Sequence, residues 1–203
     1  MSDNNPVQLN QLDQQMQAVL IRLSKQVKRV FVTGAGGFLG KALCSHLRAA
    51  DIDVVGFARG DYPELKQIGV QLFKGDIADI QTLPDAMQGC DLVFHVASKA
   101  GVWGDKDSYF SPNVNGTENI ITACQSLNIQ RLVYTSTPSV TFAGKDESGI
   151  DESQPYAQQF LNFYGQSKAV AEQSVIQANG LSLKNKTPLK TVALRPHLIW
   201  GPG

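Results

Sequence analysis

The residues best suited to chemistry in this chain are a tyrosine and a lysine, Tyr164 and Lys168, in the segment Tyr-Gly-Gln-Ser-Lys. In a helix, side chains at this spacing lie on one face. A phenol with a pKa of about 10 is a poor acid or base near neutral pH, but a neighbouring ammonium stabilises the phenolate and lowers that pKa. The pair therefore predicts general acid–base catalysis, with the ammonium lowering the pKa of Tyr164.

A glycine-rich segment, Thr33–Gly40, lies between the short apolar run 28–32 and a stretch with helical periodicity. Strand, glycine turn and helix are the context that the dinucleotide-binding fingerprint requires. Gly34 allows the tight turn, Gly37 lets the backbone approach a pyrophosphate, and Gly40 lets helix and strand pack closely. The helix N-terminus then faces the phosphates. The predicted cofactor contacts of this turn are Gly34, Gly36, Gly37, Phe38, Leu39 and Gly40.

The turn and the Tyr/Lys pair together predict an enzyme that moves a hydride between a nicotinamide cofactor and a carbonyl or alcohol. Such a site needs a further hydroxyl to hold the substrate oxygen. Ser136 and Thr137 follow the fifth predicted strand, and ligands of parallel sheets bind at the carboxyl ends of the strands. The residues alone leave the choice between these two hydroxyls open.

The elements that must position these groups alternate along the chain. Strands are predicted at 28–32, 54–58, 71–73, 91–97, 131–136 and 191–195, with helices notably at 38–47, 114–127 and 163–179. This alternation predicts an α/β fold with a Rossmann-type, doubly wound parallel sheet. We therefore expect an NAD(P)-binding domain over residues 28–203, preceded over residues 1–27 by a polar segment and an amphipathic helix.

The amphipathic helix is predicted from Leu9 to Val27, because apolar residues recur there at intervals of three and four. Two interpretations remain open: the helix folds back on its own domain, or it docks on another subunit or a partner enzyme. Its low cationic charge argues against a membrane-surface anchor.

The composition excludes several classes of protein. The 18 Lys and Arg residues balance the 18 Asp and Glu residues, so no partnership with nucleic acid or with an anionic membrane is predicted. No apolar stretch is long enough for a membrane span, and the N-terminus lacks the pattern of an export signal. The three cysteines are far apart in apolar contexts, which predicts reduced core residues, no metal site and a cytoplasmic protein.

Several motifs in combination resemble the extended short-chain dehydrogenase/reductase superfamily, and in particular its 3β-hydroxysteroid dehydrogenase-like group. Besides the glycine turn and the Tyr/Lys pair, they are Gly75-Asp76-Ile77, His95-Val96-Ala97-Ser98, Asn113-Val114-Asn115-Gly116-Thr117, Tyr134–Pro138 and Leu194-Arg195-Pro196. The resemblance covers roughly residues 28 to 203.

The resemblance implies roles for individual residues. Tyr164 is expected to be the general acid in reduction, with Lys168 tuning its pKa and binding the cofactor ribose. Thr137 stands where the family usually has a catalytic serine, with Ser136 as the alternative, and Asn113 is expected in a proton relay. The further cofactor contacts implied are Asp76 at the adenine amino group with Ile77 beside it, Ala97 along the ribose, and Pro196 and His197 at the nicotinamide carboxamide.

The end of the second strand bears on which nicotinamide cofactor binds. An acidic residue there would accept a hydrogen bond from the adenine ribose hydroxyl of NAD, whereas an arginine accommodates the 2′-phosphate of NADP. Arg59 stands at this position and Asp61 follows it. We therefore expect NADP(H), with NAD(H) as the alternative.

A finer resemblance, carried by residues 99–105, 138–142 and 194–203, is to the 2-alkyl-3-oxoalkanoate reductase family of bacterial long-chain olefin biosynthesis. It implies NADPH-dependent reduction of a β-keto acid, a lipid-like substrate, and partner enzymes of the same pathway, and it allows a homodimer. Apolar and aromatic loop residues suit long acyl chains, and would equally suit a steroid ring or a lid packed on itself: Val102, Trp103, Tyr109 and Phe110.

Other functions fit the same motifs. A sterol or steroid 3β-hydroxy dehydrogenase and a nucleotide-sugar epimerase or dehydratase are the enzymatic alternatives, and a nucleotide-binding sensor or scaffold without turnover is the alternative of another class. Members of the extended branch usually continue well beyond a position equivalent to Gly203. We therefore expect most of the substrate-binding region to lie outside residues 28–203.

Overall fold

The structure, a computed structural model, describes residues 7–144 and 148–201. Across these ranges six strands form one parallel sheet with the order β3-β2-β1-β4-β5-β6. The strands are β1 Arg29–Thr33, β2 Asp53–Ala58, β3 Gln71–Lys74, β4 Leu92–His95, β5 Arg131–Thr135 and β6 Lys190–Leu194. The predicted doubly wound fold is thus confirmed. The strand order reverses between β1 and β4, which is where such sheets bind ligands.

Helices pack on both faces of the sheet. They are α1 Gln14–Ser24, α2 Phe38–Ala49, α3 Pro63–Gln67, α4 Leu83–Met87, α5 Lys106–Phe110, α6 Gly116–Leu127 and α7 Phe163–Gln177. The predicted helix over 114–127 begins differently in the structure, because a π-helical turn at Ser111–Asn115 precedes α6. Such turns often occur at functional sites.

The core consists of two apolar clusters, one on each face of the sheet. In β1, Phe31 faces the cluster beneath α4, α6 and α7, whereas Val30 and Val32 face the cluster beneath α1, α2 and α3. All three side chains are fully buried. Strands buried on both faces read as continuous apolar runs, which explains why β1 could be located from the sequence.

The N-terminal helix is shorter than the predicted span of 9–27. A 3₁₀ turn covers Leu9–Gln11, and α1 begins after Asp13, whose carboxylate caps it by accepting from the Met16 amide at 2.9 Å. Leu20 is buried in the cluster beneath α1, α2 and α3, so the helix packs on its own domain. Most of the predicted polar segment, residues 1–6, lies outside the described residues.

None of the helices in the described residues combines the length and the apolar character that crossing a membrane requires. The thiols of Cys44, Cys90 and Cys124 are free and buried. Burial raises the pKa of the Cys44 thiol to about 12 and that of Cys90 to about 11, which keeps both thiols protonated near neutral pH.

Candidate active site

The glycine turn forms one wall of a cavity of about 780 Å³ at the carboxyl ends of β1 and β2. Gly34 has a φ of 66°, and a Cβ there would approach the Ala97 backbone to 2.9 Å. A Cβ at Gly40 would overlap the carbonyl oxygen of Gly34. Ten of the predicted cofactor residues line this cavity: Gly34, Gly36, Gly37, Phe38, Leu39, Gly40, Arg59, Asp76, Ile77 and Ala97. A narrow backbone cradle against the first turn of α2 fits the diphosphate of a dinucleotide.

The loop after β2 separates the two residues that bear on cofactor preference. Arg59 lines the cavity, whereas the Asp61 carboxylate pairs with Lys66 at 2.8 Å on the surface. Lys66 also lowers the pKa of Asp61. Sequence reasoning missed Tyr62, whose ring covers Gly36 and lies 5.4 Å from the ammonium of Lys41. The aromatic residue three positions after Arg59 was the available signal.

A second cavity of about 550 Å³ adjoins the first at the carboxyl end of β5, and both are lined by Leu39, Val96, Ser98 and Ala100. Besides Leu39 and the alternative hydroxyl Ser136, its walls carry five further predicted site residues: Thr137, Tyr164, Lys168, Pro196 and His197. The structure thus brings these residues together beside the glycine turn.

Tyr164 and Lys168 lie in the first two turns of α7. The helix begins after Asn162, whose side-chain oxygen accepts from the Gly165 amide at 2.9 Å. Lys168 is only 2% exposed, and its ammonium donates to the carbonyl oxygen of Thr135 at 2.6 Å. The same nitrogen lies 4.1 Å from the centroid of the Tyr134 ring. The end of β5 therefore holds the ammonium in place.

The pKa of Tyr164 does not follow the sequence-based expectation. Burial raises the pKa of this phenol, and a hydrogen bond with the Thr137 side chain opposes the increase. The expected lowering by Lys168 is wrong for the described site, because the ammonium is directed at Thr135 and Tyr134. Burial also lowers the pKa of Lys168 to about 7, and the carboxylate of Glu172 opposes that decrease.

Ser136 and Thr137, which the sequence left as alternatives, have different surroundings. The Ser136 hydroxyl donates to the Glu172 carboxylate in the protein interior. The Thr137 hydroxyl donates to the Ser139 hydroxyl at 3.2 Å and accepts from the Ser139 amide at 3.3 Å, and its hydrogen bond with Tyr164 opposes the increase that burial causes in the pKa of that phenol. Thr137 therefore presents the hydroxyl that is available beside the phenol.

Asn113 is 1% exposed and lies in the π-helical turn, outside the walls of both cavities. Its side-chain oxygen accepts from the Lys99 amide at 2.7 Å, and its nitrogen donates to the Lys99 carbonyl at 3.1 Å and to the Ser167 hydroxyl at 2.9 Å. Asn113 thus fastens the loop after β4 to α7, next to Lys168.

Glu172 is the main feature of the site that sequence reasoning missed. Its carboxylate accepts from Ser136, from the Tyr156 hydroxyl at 2.9 Å and from Arg195 Nη2 at 2.6 Å. The signal available in the sequence was a carboxylate four residues after Lys168, on the same helical face.

These observations place the chain among known proteins. A family model described as the 3-beta hydroxysteroid dehydrogenase/isomerase family matches residues 31–203. The chain belongs to this family. The resemblance inferred from the motifs is confirmed. The chain has the fold of the NAD(P)-dependent dehydrogenases and reductases.

Curated relatives of this family member include two proteins named 2-alkyl-3-oxoalkanoate reductase. The one from Shewanella oneidensis is 62% identical over 192 residues, which are 94% of this chain and 50% of the relative. The one from Stenotrophomonas maltophilia is 50% identical over 178 residues, 86% of this chain and 52% of the relative. The chain thus spans about half the length of the curated relatives it matches.

Among solved structures, a short-chain dehydrogenase/reductase superfamily protein from Agrobacterium tumefaciens with bound NAD superposes with a TM-score of 0.69. It is 27% identical, and the match covers 82% of this chain and 48% of that one. This likeness agrees with the parallel sheet described above.

Proposed function

We propose that the protein carrying this chain is an NADP(H)-dependent reductase that converts a 2-alkyl-3-oxoalkanoate into the 2-alkyl-3-hydroxyalkanoate. The observation that carries the proposal is the meeting of Tyr164, Lys168 and Thr137 around one cavity that adjoins the glycine turn. The relatives named 2-alkyl-3-oxoalkanoate reductase support the substrate class.

In the proposed reaction, a bound nicotinamide supplies the hydride to the carbonyl carbon. The Tyr164 phenol donates its proton to the oxygen that becomes the alcohol. Its raised pKa keeps the phenol protonated, as a general acid must be. The Thr137 hydroxyl holds the same oxygen, and preorganised donors of this kind stabilise the negative charge that develops there.

Lys168 and Asn113 have supporting roles in this proposal. The Lys168 ammonium, held by the Thr135 carbonyl, would bind the cofactor ribose and stabilise the phenolate once Tyr164 has given up its proton. Asn113 would serve the proton relay through Ser167, to which its side chain donates at 2.9 Å. Pro196 and His197 would meet the nicotinamide carboxamide from the opposite wall.

The preference for NADP(H) is supported by the loop after β2. Arg59 lines the cavity, and its guanidinium would pair with a 2′-phosphate. Asp61, the residue that would favour NAD(H), is engaged by Lys66 at 2.8 Å. Asp76 would hydrogen-bond the adenine amino group from the same cavity, and the Ala97 backbone would lie along the ribose.

The proposed lipid-like substrate requires apolar surface near the second cavity. Val102 and Trp103 are 59% and 88% exposed in the loop after β4, and these side chains are available to an acyl chain. Tyr109 is not available to a substrate and fits the alternative of a loop packed on itself: it is buried, and its hydroxyl donates to the Trp103 carbonyl at 2.8 Å. Tyr109 therefore holds the loop rather than the substrate.

The test is NADPH oxidation by the purified full-length protein that contains this chain, with a series of 2-alkyl-3-oxoalkanoates compared with a panel of sterols. We expect turnover of the keto acids, and loss of that turnover in Tyr164→Phe with the dissociation constant for NADPH unchanged within about twofold. Tyr109→Phe is the matched control, because it removes a phenol hydroxyl that faces only the loop. Undiminished turnover by Tyr164→Phe would refute the assignment of the general acid.

A second candidate function is favoured by the family model, which is described by steroid chemistry. A 3β-hydroxysteroid dehydrogenase would use the same residues in the direction of alcohol oxidation. Turnover of sterols but not of keto acids would select it. Cofactor binding without turnover of either class would instead favour a nucleotide-binding sensor or scaffold.

A further inference from the structure

Glu172 lies behind the wall of the catalytic cavity, at the point where three segments converge. Its side chain is 1% exposed. On α7 it follows Lys168 by one helical turn and Tyr164 by two, and these three residues share a face. A carboxylate so deeply buried is costly unless it is paired and fully hydrogen-bonded.

The pairing of Glu172 joins parts of the chain that are distant in sequence. Ser136, directly after β5, donates to one carboxylate oxygen. Tyr156, in the loop before α7, donates to the other at 2.9 Å. Arg195, directly after β6, contributes Nη2 at 2.6 Å and Nε at 3.0 Å. The carboxylate thus ties the ends of two strands and one loop to the helix that carries the Tyr/Lys pair.

Two of the residues that hydrogen-bond to Glu172 are next in sequence to residues that contact the reacting groups or line their cavity. Ser136 precedes Thr137, whose hydroxyl contacts Tyr164, and it follows Thr135, whose carbonyl binds Lys168. Arg195 precedes Pro196, which lines the same cavity. A displacement of the Glu172 carboxylate would therefore move the hydroxyl donor and the ammonium relative to the phenol.

Glu172 also supplies a buried negative charge near Lys168. The titratable groups that act on the ammonium are Glu172 on α7, Tyr134 on β5 and His95 on β4. His95 is neutral, because burial lowers its pKa to about 3. The positive charge of Arg195 is bound to the carboxylate itself.

We propose that Glu172 is the positioning residue of this site. Its carboxylate holds the ends of β5 and β6 against α7, so that Thr137 stays beside the Tyr164 phenol and the Lys168 ammonium stays on the Thr135 carbonyl, and its negative charge keeps Lys168 in the ammonium form. The part of this inference that concerns turnover rests on the proposed function, whereas the part that concerns the charge of Lys168 does not.

The charge of Lys168 is tested by a nuclear magnetic resonance titration of its side chain, in a full chain whose lysines are labelled. The Lys168→Arg variant assigns the signal. In Glu172→Gln, we expect the protonation constant of Lys168 to fall about tenfold, because the anion is lost and the Arg195 cation is left unbalanced. In Arg195→Gln, which breaks the same ion pair, we expect that constant to be unchanged or to rise.

A role in stability alone would shift the two variants in the same direction, and that result would overturn the proposal. The double variant Glu172→Gln/Arg195→Gln replaces the buried pair by two neutral amides, a change that proteins often tolerate. If Glu172→Gln does not fold, the double variant still tests the proposal. In the double variant, Lys168 must bind its proton more weakly than in Arg195→Gln.

The consequence for turnover is tested by the pH profile of NADPH-dependent reduction. Activity that needs the Lys168 ammonium is lost as the pH rises through its pKa, so this limb should move to lower pH in Glu172→Gln. In a Lys168→Arg background the limb should not move, because the guanidinium stays charged. A fall in kcat without movement of the limb would refute the role of Glu172 in keeping Lys168 charged, and an unchanged kcat would refute its positioning role. Absence of turnover in the unmodified full-length protein would refute only the proposed function.

Discussion

The Oγ1 atom of Thr33, at the end of β1, lies 2.7 Å from the Nδ1 atom of His95, at the end of β4. Thr33 Oγ1 also accepts from the amides of Val96 and Ala97, both at 3.0 Å, so its own proton goes to Nδ1. His95 Nε2 then carries the ring proton and donates to Thr117 at 2.9 Å. The two strands that border the glycine turn are thus joined by a neutral imidazole of fixed tautomer.

This buried imidazole makes stability depend on pH. Burial lowers the pKa of His95 from 6.5 to about 3, so below pH 6.5 the unfolded chain binds a proton that the folded chain does not. The stabilisation is complete above pH 6.5 and is lost as the pH falls toward 3. Urea unfolding at pH 7 and pH 5 should show a loss of about 2 kcal/mol from this residue.

The matched variant for that measurement is His95→Gln, whose amide does not titrate. It should be less stable than the unmodified protein at pH 7, and its free energy of unfolding should change less between the two pH values. Equal slopes for the two proteins would show that His95 does not govern the acid sensitivity.

Removal of the Thr33 hydroxyl should destabilise the fold. In Thr33→Val, two amides lose their acceptor and His95 loses its donor in the interior, which should cost about 2–4 kcal/mol in the free energy of unfolding. Thr33→Ser keeps the hydroxyl and should cost about 1 kcal/mol for the lost methyl group. Chemical denaturation measures both, and a smaller effect for valine than for serine would contradict the assigned hydrogen bonds.

Two glycines of the turn should respond differently to alanine. In Gly40→Ala the new Cβ overlaps the Gly34 carbonyl, and we expect a loss of about 1–3 kcal/mol in the free energy of unfolding. At Gly37 the Cβ would lie 3.3 Å from that oxygen, and φ is −82°, so Gly37→Ala should fold nearly normally. Because Gly37 faces the diphosphate in the proposed complex, Gly37→Ala should still weaken NADPH binding at least tenfold in fluorescence titrations.

Cofactor preference should depend on Arg59. Arg59→Ala should weaken NADPH binding at least tenfold and leave NADH binding within about twofold, since one charge-assisted contact to the 2′-phosphate is lost. Asp61→Asn is the companion variant and should leave NADH binding unchanged, because Lys66 engages this carboxylate. Weaker NADH binding by Asp61→Asn would point to NAD(H) as the natural cofactor.

The features that local patterns encode could be predicted from the sequence. β1 and the glycine turn were located because an apolar run, glycines and a helical period follow one another directly. Tyr164 and Lys168 could be paired because one helix carries both. Residues that follow separate strands, such as Thr137 after β5 and Pro196 after β6, were expected at one site because the carboxyl ends of parallel strands meet at one edge of the sheet.

What the sequence could not show depends on contacts between distant segments. Glu172 finds its partners in Ser136, Tyr156 and Arg195, which no spacing rule connects. The predicted direction of the Tyr164 pKa shift was wrong because burial raises this pKa and the Lys168 ammonium is held by the Thr135 carbonyl instead of by the phenol. The N-terminal helix was predicted too long, since the apolar period continues through Asp13, where the chain turns and α1 begins.

The position of β6 at the edge of the described sheet has a practical consequence for handling the protein. Val192 and Leu194 are 47% and 53% exposed on this strand, and an uncovered apolar edge strand is a template for the addition of strands from other molecules. We expect preparations of this chain to self-associate as their concentration rises. A lysine in place of Val192 should raise the concentration at which light scattering begins.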